Sequence, residues 1–154
     1  MQNLNLHKHF HEKLFKPEME ATTKEEVLEE LLDLFVANQY VKDKHLILEM
    51  LHKRETMGTT ALGKGVAVPH GRTIATGDMI IAFGHSSAGV DFSADDGKLV
   101  TLFFMIIAPP NDEGNVYLPV LGAIVTILKD TKKRTKLNKV ESYEEFLAVI
   151  NGEE

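Results

Sequence analysis

His70 is the residue of this sequence best placed to do chemistry. It stands in the stretch Gly63–Thr73, GKGVAVPHGRT, where three small apolar residues run directly into Pro69. Proline has no backbone donor and does not continue a central ladder, so the pattern predicts a strand over 65–68 that stops at Pro69 and lets His70 project from its rim. Gly63, Gly65 and Gly71 keep the adjoining backbone uncrowded, open to a bulky group or a partner surface. An imidazole presented in this way can be a nucleophile, a general base or a metal ligand near pH 7, and it can equally be a plain capping or hydrogen-bonding group.

The other candidate groups are fewer than the composition first suggests. Cysteine is absent, which removes thiolate chemistry, disulfides and cysteine metal sites from this chain. The segment HKHFH sets His7, His9 and His11 on one side of an extended segment, a spacing that can ligate zinc. No carboxylate or cysteine stands close enough to complete that set, so a solvated cluster is expected and neither metal nor cofactor is predicted. His45 and His52, seven apart, fall on one exposed helix face. Lys129–Lys136, KDTKKRTK, reads as a solvated basic connector that can steer an acidic partner through long-range attraction.

The elements that must position His70 follow from periodicity and caps. Thr22 or Thr23 with Glu25 or Glu26 makes a capping box, and Val27, Leu28, Leu31, Leu32 and Phe35 recur at helical spacing up to Asn38. A second helix follows Asp43, with Leu46, Ile47, Met50 and Leu51 on one side, and ends at Arg54 and Glu55. Extended segments are predicted at 65–68, 78–84 and 98–110, separated by turn residues. A third helix carries Leu121, Ile124, Val125 and Leu128, with Pro119 in its first turn, and a last one starts at the Ser142–Glu145 capping box. Helices, then strands, then helices around one two-sided apolar strand predict an α/β fold with helices on both faces of the sheet. The 154 residues fit a single domain, 1–154, with a sizeable core.

Charge and hydropathy narrow the partners. Seventeen basic against 23 acidic residues give a net charge of −6, the wrong sign for a surface that binds nucleic acid or anionic membranes by counterion release. The longest apolar run, Leu99–Ala108, is half the roughly 20 residues that span a bilayer, so it reads as a buried strand and membrane insertion is not expected. The N-terminus lacks the basic and apolar regions of a signal peptide, which makes the cytoplasm the expected location. Protein or small-molecule partners fit best.

The string from Arg54 to Gly71, RETMGTTALGKGVAVPHG, resembles the active-site signature of the EIIA domain of the bacterial phosphoenolpyruvate-dependent sugar phosphotransferase system, fructose/mannitol type. The Arg-Glu pair, the GTT segment, the paired glycines and the PHG ending carry the resemblance, and the flanking elements stay in register over nearly the whole chain. The resemblance implies a mixed five-stranded sheet flanked by helices. It also implies that His70 is phosphorylated by the phosphocarrier HPr and passes its phosphoryl group to a cysteine of an EIIB component, here on another chain or domain. Arg54 matches the family's active-site arginine, a planar fork suited to phosphate, although an arginine at a helix end also simply complements the helix dipole. Thr59 and Thr60 can donate to phosphoryl oxygens or serve as turn residues.

One departure stands out. Members of the family often place a second histidine beside the phosphorylated ring, in an His-Leu pair at a helix start; here the matching pair is Tyr117 and Leu118. A phenol can hydrogen-bond there, yet with an unperturbed pKa of about 10 it supplies no titratable cation. His85, at a predicted strand end, is the candidate to replace the missing ring. Two functions are carried forward: a transport carrier relaying phosphate from HPr to EIIB for uptake and phosphorylation of a sugar or polyol, and a regulatory, nitrogen-type EIIA whose phosphorylation state controls binding to another protein. A hydrolase with His70 as general base lacks identifiable partner groups.

Overall fold

The computed structural model describes residues 5–111 and 116–152 and builds them around one mixed sheet. In chain order the elements are β1 (Phe10–Lys16), α1 (Lys24–Ala37), α2 (Lys44–Thr56), β2 (Ala61–Gly63), β3 (Val66–Ala67), β4 (His70–Arg72), β5 (Ile80–Val90), β6 (Val100–Ala108), α3 (Tyr117–Lys129), α4 (Thr131–Leu137) and α5 (Tyr143–Ile150). The strands lie in the order β1-β5-β6-β3-β2, with β4 also paired to β6. Pairing is antiparallel for β5 with β6 and β2 with β3, and parallel elsewhere. The predicted α/β class with helices on both faces is what the chain adopts, with six short and long strands against the roughly five expected.

β6 explains the layering. Every residue from Leu102 to Ala108 is buried, and alternation sends Phe103, Met105 and Ile107 to one face and Leu102, Phe104 and Ile106 to the other. The first set packs with α1 and α2 through Leu28, Leu31, Phe35, Ile47 and Leu51. The second packs with α3 and α5, where Phe146 lies 4.6 Å, centroid to centroid, from Phe83 and 5.1 Å from Phe10. Both capping boxes form: Thr23 with Glu26 and Ser142 with Glu145 start α1 and α5.

One strand is added to those predicted, and two expectations are corrected. Residues Phe10–Lys16 form an edge strand parallel to β5, although their charged positions hide the alternation. The basic run is no connector, because Asp130 accepts from Lys133 N–H at 3.0 Å to cap α4 and Leu137 anchors that helix in the core. Pro69 interrupts the strand without ending it. Val66 pairs with Leu102 and His70 with Ile106 in one register, so β3 and β4 lie on one line beside β6. Pro69 cannot donate, but its carbonyl accepts from Ile106 N–H at 2.9 Å, and the line resumes at His70.

Candidate active site

The break at Pro69 orients the imidazole. Val68 N–H donates to the Thr60 carbonyl at 3.1 Å, on the side from which the chain before β2 turns away towards α2. The Val68 carbonyl on that side lies 2.7 Å from His70 Nδ1. A carbonyl only accepts, so Nδ1 carries the proton and Nε2 holds the lone pair. Burial keeps the His70 pKa below the ordinary 6.5, and Arg54 lowers it further against the Val68 hydrogen bond and Glu55. His70 is therefore neutral at pH 7, with its Nε2 lone pair held in one orientation.

The Arg-Glu pair at the end of α2 splits its work. Glu55 accepts from Thr60 N–H at 3.1 Å and from the Thr60 hydroxyl, and it pairs with Lys24 at 2.9 Å. That fastens the end of α2 to the following segment. Gly58, at φ +138°, turns the chain there, and its carbonyl accepts from Arg54 Nη1 at 2.8 Å. Arg54 thus stands in the same groove as His70, a cleft of about 560 Å³ between α2, β4 and the start of α3.

Tyr117 and Arg72 complete the mouth. The Tyr117 ring centroid lies 6.4 Å from that of His70, and the Arg72 guanidinium sits 4.4 Å from the Tyr117 centroid. Burial pushes the Tyr117 phenol up, against the pull of Arg72 and Arg54, so it is neutral near pH 7. The lip is apolar and exposed: Leu46 is 40% exposed, Leu118 66% and Met57 78%. On the inner wall a Cβ at Gly71 would come within 2.1 Å of Met50 Sδ, so a larger residue there would displace that methionine. Sequence reading missed Arg72, although two residues apart on a strand is the spacing that puts it on the face of His70.

The other predicted residues go elsewhere. Thr59 Oγ1 donates to the Phe92 carbonyl at 2.6 Å and accepts from Ala61 N–H, which makes it a turn residue. Thr60 is buried and held by Glu55. His85 lies in β5 opposite Leu102, not opposite Ile106 where His70 pairs, and its Nδ1 donates to the Pro17 carbonyl at 2.9 Å. It does not replace the absent second imidazole. The N-terminal histidines share no face: Leu6–His9 is a 3-10 turn, His9 is buried with Nδ1 3.2 Å from the Met79 carbonyl, and His11 stacks on Tyr40. Among the described residues no cluster could hold a metal ion, and no helix is long and apolar enough to cross a membrane.

Two depressed imidazoles make stability pH-dependent. Burial lowers His9 below 6.5, with Lys8, His11 and His7 adding to it against the Met79 hydrogen bond, and His70 is lowered as described. Each binds its proton less readily in the folded than in the unfolded chain. Their stabilisation is complete above about pH 6.5 and is lost as pH falls below it. Denaturant unfolding between pH 8 and 5 is expected to show declining stability on acidification, with a flatter slope in His9→Gln. A rise on acidification would contradict this.

Comparison with known proteins agrees with the geometry. The chain is 38% identical over 129 residues to the PTS system fructose-specific EIIA component of Haloferax volcanii, covering 84% of this chain and 83% of that protein. It is 32% identical over 136 residues to the PTS system fructose-specific EIIABC component of Bacillus subtilis, covering 88% of this chain but 21% of that longer one. The crystal structure of nitrogen regulatory protein IIA-Ntr from Neisseria meningitidis superposes with a TM-score of 0.86 at 31% identity, over 93% of this chain and 97% of that one. Sugar-specific and nitrogen-regulatory proteins are thus both among its relatives. The model of the phosphoenolpyruvate-dependent sugar phosphotransferase system, EIIA 2, matches residues 8–153, and the chain belongs to that family.

Proposed function

We propose that this protein is a phosphoryl carrier that accepts phosphate from phospho-HPr on His70 and passes it to a cysteine of an EIIB component, for coupled uptake and phosphorylation of a sugar or polyol. The observation that carries the reading is the neutral imidazole with its proton held on Nδ1 and its lone pair on Nε2, in a groove that also holds Arg54. The Nε2 lone pair attacks phosphorus, the Nε2–P bond forms as the bond to the donor nitrogen breaks, and that nitrogen keeps the electron pair. In the second step a thiolate attacks the same phosphorus and the pair returns to Nε2. Nδ1 keeps its proton throughout, with Val68 as its acceptor. Phosphoryl transfer of this kind rests on positioning and charge neutralisation, which Arg54 supplies at the equatorial oxygens. The exposed apolar lip formed by Leu46, Met57 and Leu118 gives a partner protein a surface that excludes water from the transfer.

The fructose-specific relatives support transport, and the EIIABC relative supports an EIIB acceptor. The nitrogen-regulatory reading is supported by the likeness to IIA-Ntr, with the phosphorylation state of the same groove then governing a protein target. Onward transfer separates the two. The phosphorylated chain, freed of HPr, is mixed with fructose- and mannitol-type EIIB, each with its cysteine intact or changed to serine. Label is expected to move to an intact EIIB and not to its serine variant. Retention of all label on this chain would contradict the transport reading and favour regulation.

A further inference from the structure

We propose that Arg72 is a second phosphoryl-binding cation of this site, held at the mouth of the groove by the face of Tyr117. The inference rests on the carrier reading and adds a residue to its machinery. His70 and Arg72 are two apart on β4, so both side chains leave the same face of the strand, about 6.6 Å apart along it. Both line the groove with Arg54. Tyr117 is the connecting surface. Its ring lies 6.4 Å from His70, its face carries the Arg72 guanidinium at 4.4 Å, and its phenol feels the charge of both arginines.

Arg72 has no other structural employment. It makes no ion pair or hydrogen bond with protein groups among the described residues, and its side chain is exposed. A guanidinium stacked on an aromatic face keeps its in-plane N–H groups directed outward, where they can meet phosphoryl oxygens. The stack also restrains a long side chain that would otherwise pay rotamer entropy on binding. The tyrosine therefore does more than leave a gap where an imidazole would stand. It supplies no charge itself, but it positions one.

The other charged or titratable groups facing this mouth are Glu49, Lys53 and Arg54 of α2, Tyr117 of α3 and His70 itself, with Glu55 acting on His70 from behind. Burial holds the pKa of His70 below 6.5 and pushes that of the Tyr117 phenol up. Above that pH the wild-type rate is therefore expected to be level until HPr or Tyr117 changes charge.

The test is rapid-quench phosphoryl uptake by the full chain from phospho-HPr, at saturating HPr, between pH 6 and 9, for wild type, Arg72→Ala, Arg72→Lys and Arg72→His. Arg72→Ala is expected to slow the maximal rate about ten- to a hundredfold, less than the loss of a fully buried donor because the site is partly open to water. Its thermal midpoint should match wild type. Arg72→Lys should recover part of the rate. Arg72→His should approach Arg72→Lys near pH 6 and fall as its new imidazole loses its proton above about pH 6.5, a profile that a structural role would not produce. The proposal is overturned if Arg72→Ala keeps the wild-type maximal rate, including the case where only the HPr concentration for half-saturation rises, which would make Arg72 a docking residue. If the wild-type chain takes up no phosphate from a competent HPr, the carrier reading itself fails and takes this inference with it.

Discussion

His70→Gln is expected to take up no phosphate from phospho-HPr while keeping its fold. Glutamine retains a comparable length with its amide at the level of Nε2, so it fills the same space, while the Nδ1 hydrogen bond to the Val68 carbonyl at 2.7 Å is lost. What it lacks is a nucleophilic lone pair, because an amide nitrogen is delocalised into its carbonyl. The expected loss is complete because, in the proposed mechanism, Nε2 forms the bond to phosphorus and no other group of the groove replaces it. His85 is two strands away at a different register level, and Tyr117 is a neutral phenol held so by burial. Far-ultraviolet circular dichroism and the unfolding midpoint check the fold, and stoichiometric labelling checks the chemistry. Uptake by a folded His70→Gln protein would place the acceptor elsewhere.

Arg54→Ala is expected to slow uptake by about 10²–10³ at saturating HPr, the range seen when one preorganised donor to a developing oxyanion is removed. Arg54 stands at the last turn of α2, and one of its nitrogens is already spent on Gly58 at 2.8 Å. That bond orients the fork towards the groove. A purely structural Arg54 would behave differently: its removal would cost about 0.3–1 kcal/mol through the helix dipole and leave the maximal rate untouched. Arg54→Lys separates charge from geometry, since an ammonium keeps the first and loses the planar fork. Partial recovery of rate with wild-type stability is the expected outcome, and a normal rate in Arg54→Ala would remove the arginine from the proposed chemistry.

The sequence exposed the parts of this fold whose physics is local. Capping boxes at Thr23 and Ser142 announce two helices because side chain and backbone satisfy each other within four residues. The run Val100–Ala108 announces a central strand because it is apolar on both faces. Non-local features were hidden. β1 carries Glu12 and Lys13 among its apolar positions, as an edge strand can, and its identity depends on β5 more than sixty residues away. Pro69 reads as a strand end in sequence, whereas β6 supplies Ile106 to carry the line across it. The groove shows the same division. His70 and Arg54 follow from a contiguous motif, while Arg72 gains meaning only once α3 brings Tyr117 against it. Thr59 and Thr60 have the right hydroxyls, but Phe92 and Glu55 claim them first.

The central claim is that Nε2 of His70 carries the phosphoryl group, and the most direct measurement is nuclear magnetic resonance of the phosphorylated, ¹⁵N-labelled chain. Nitrogen shifts and phosphorus–nitrogen couplings tell which ring atom is bonded. The account predicts one phosphate per chain, on Nε2 of His70, with the proton still on Nδ1 facing Val68. Phosphate on Nδ1, on another histidine, or on no residue at all would contradict it.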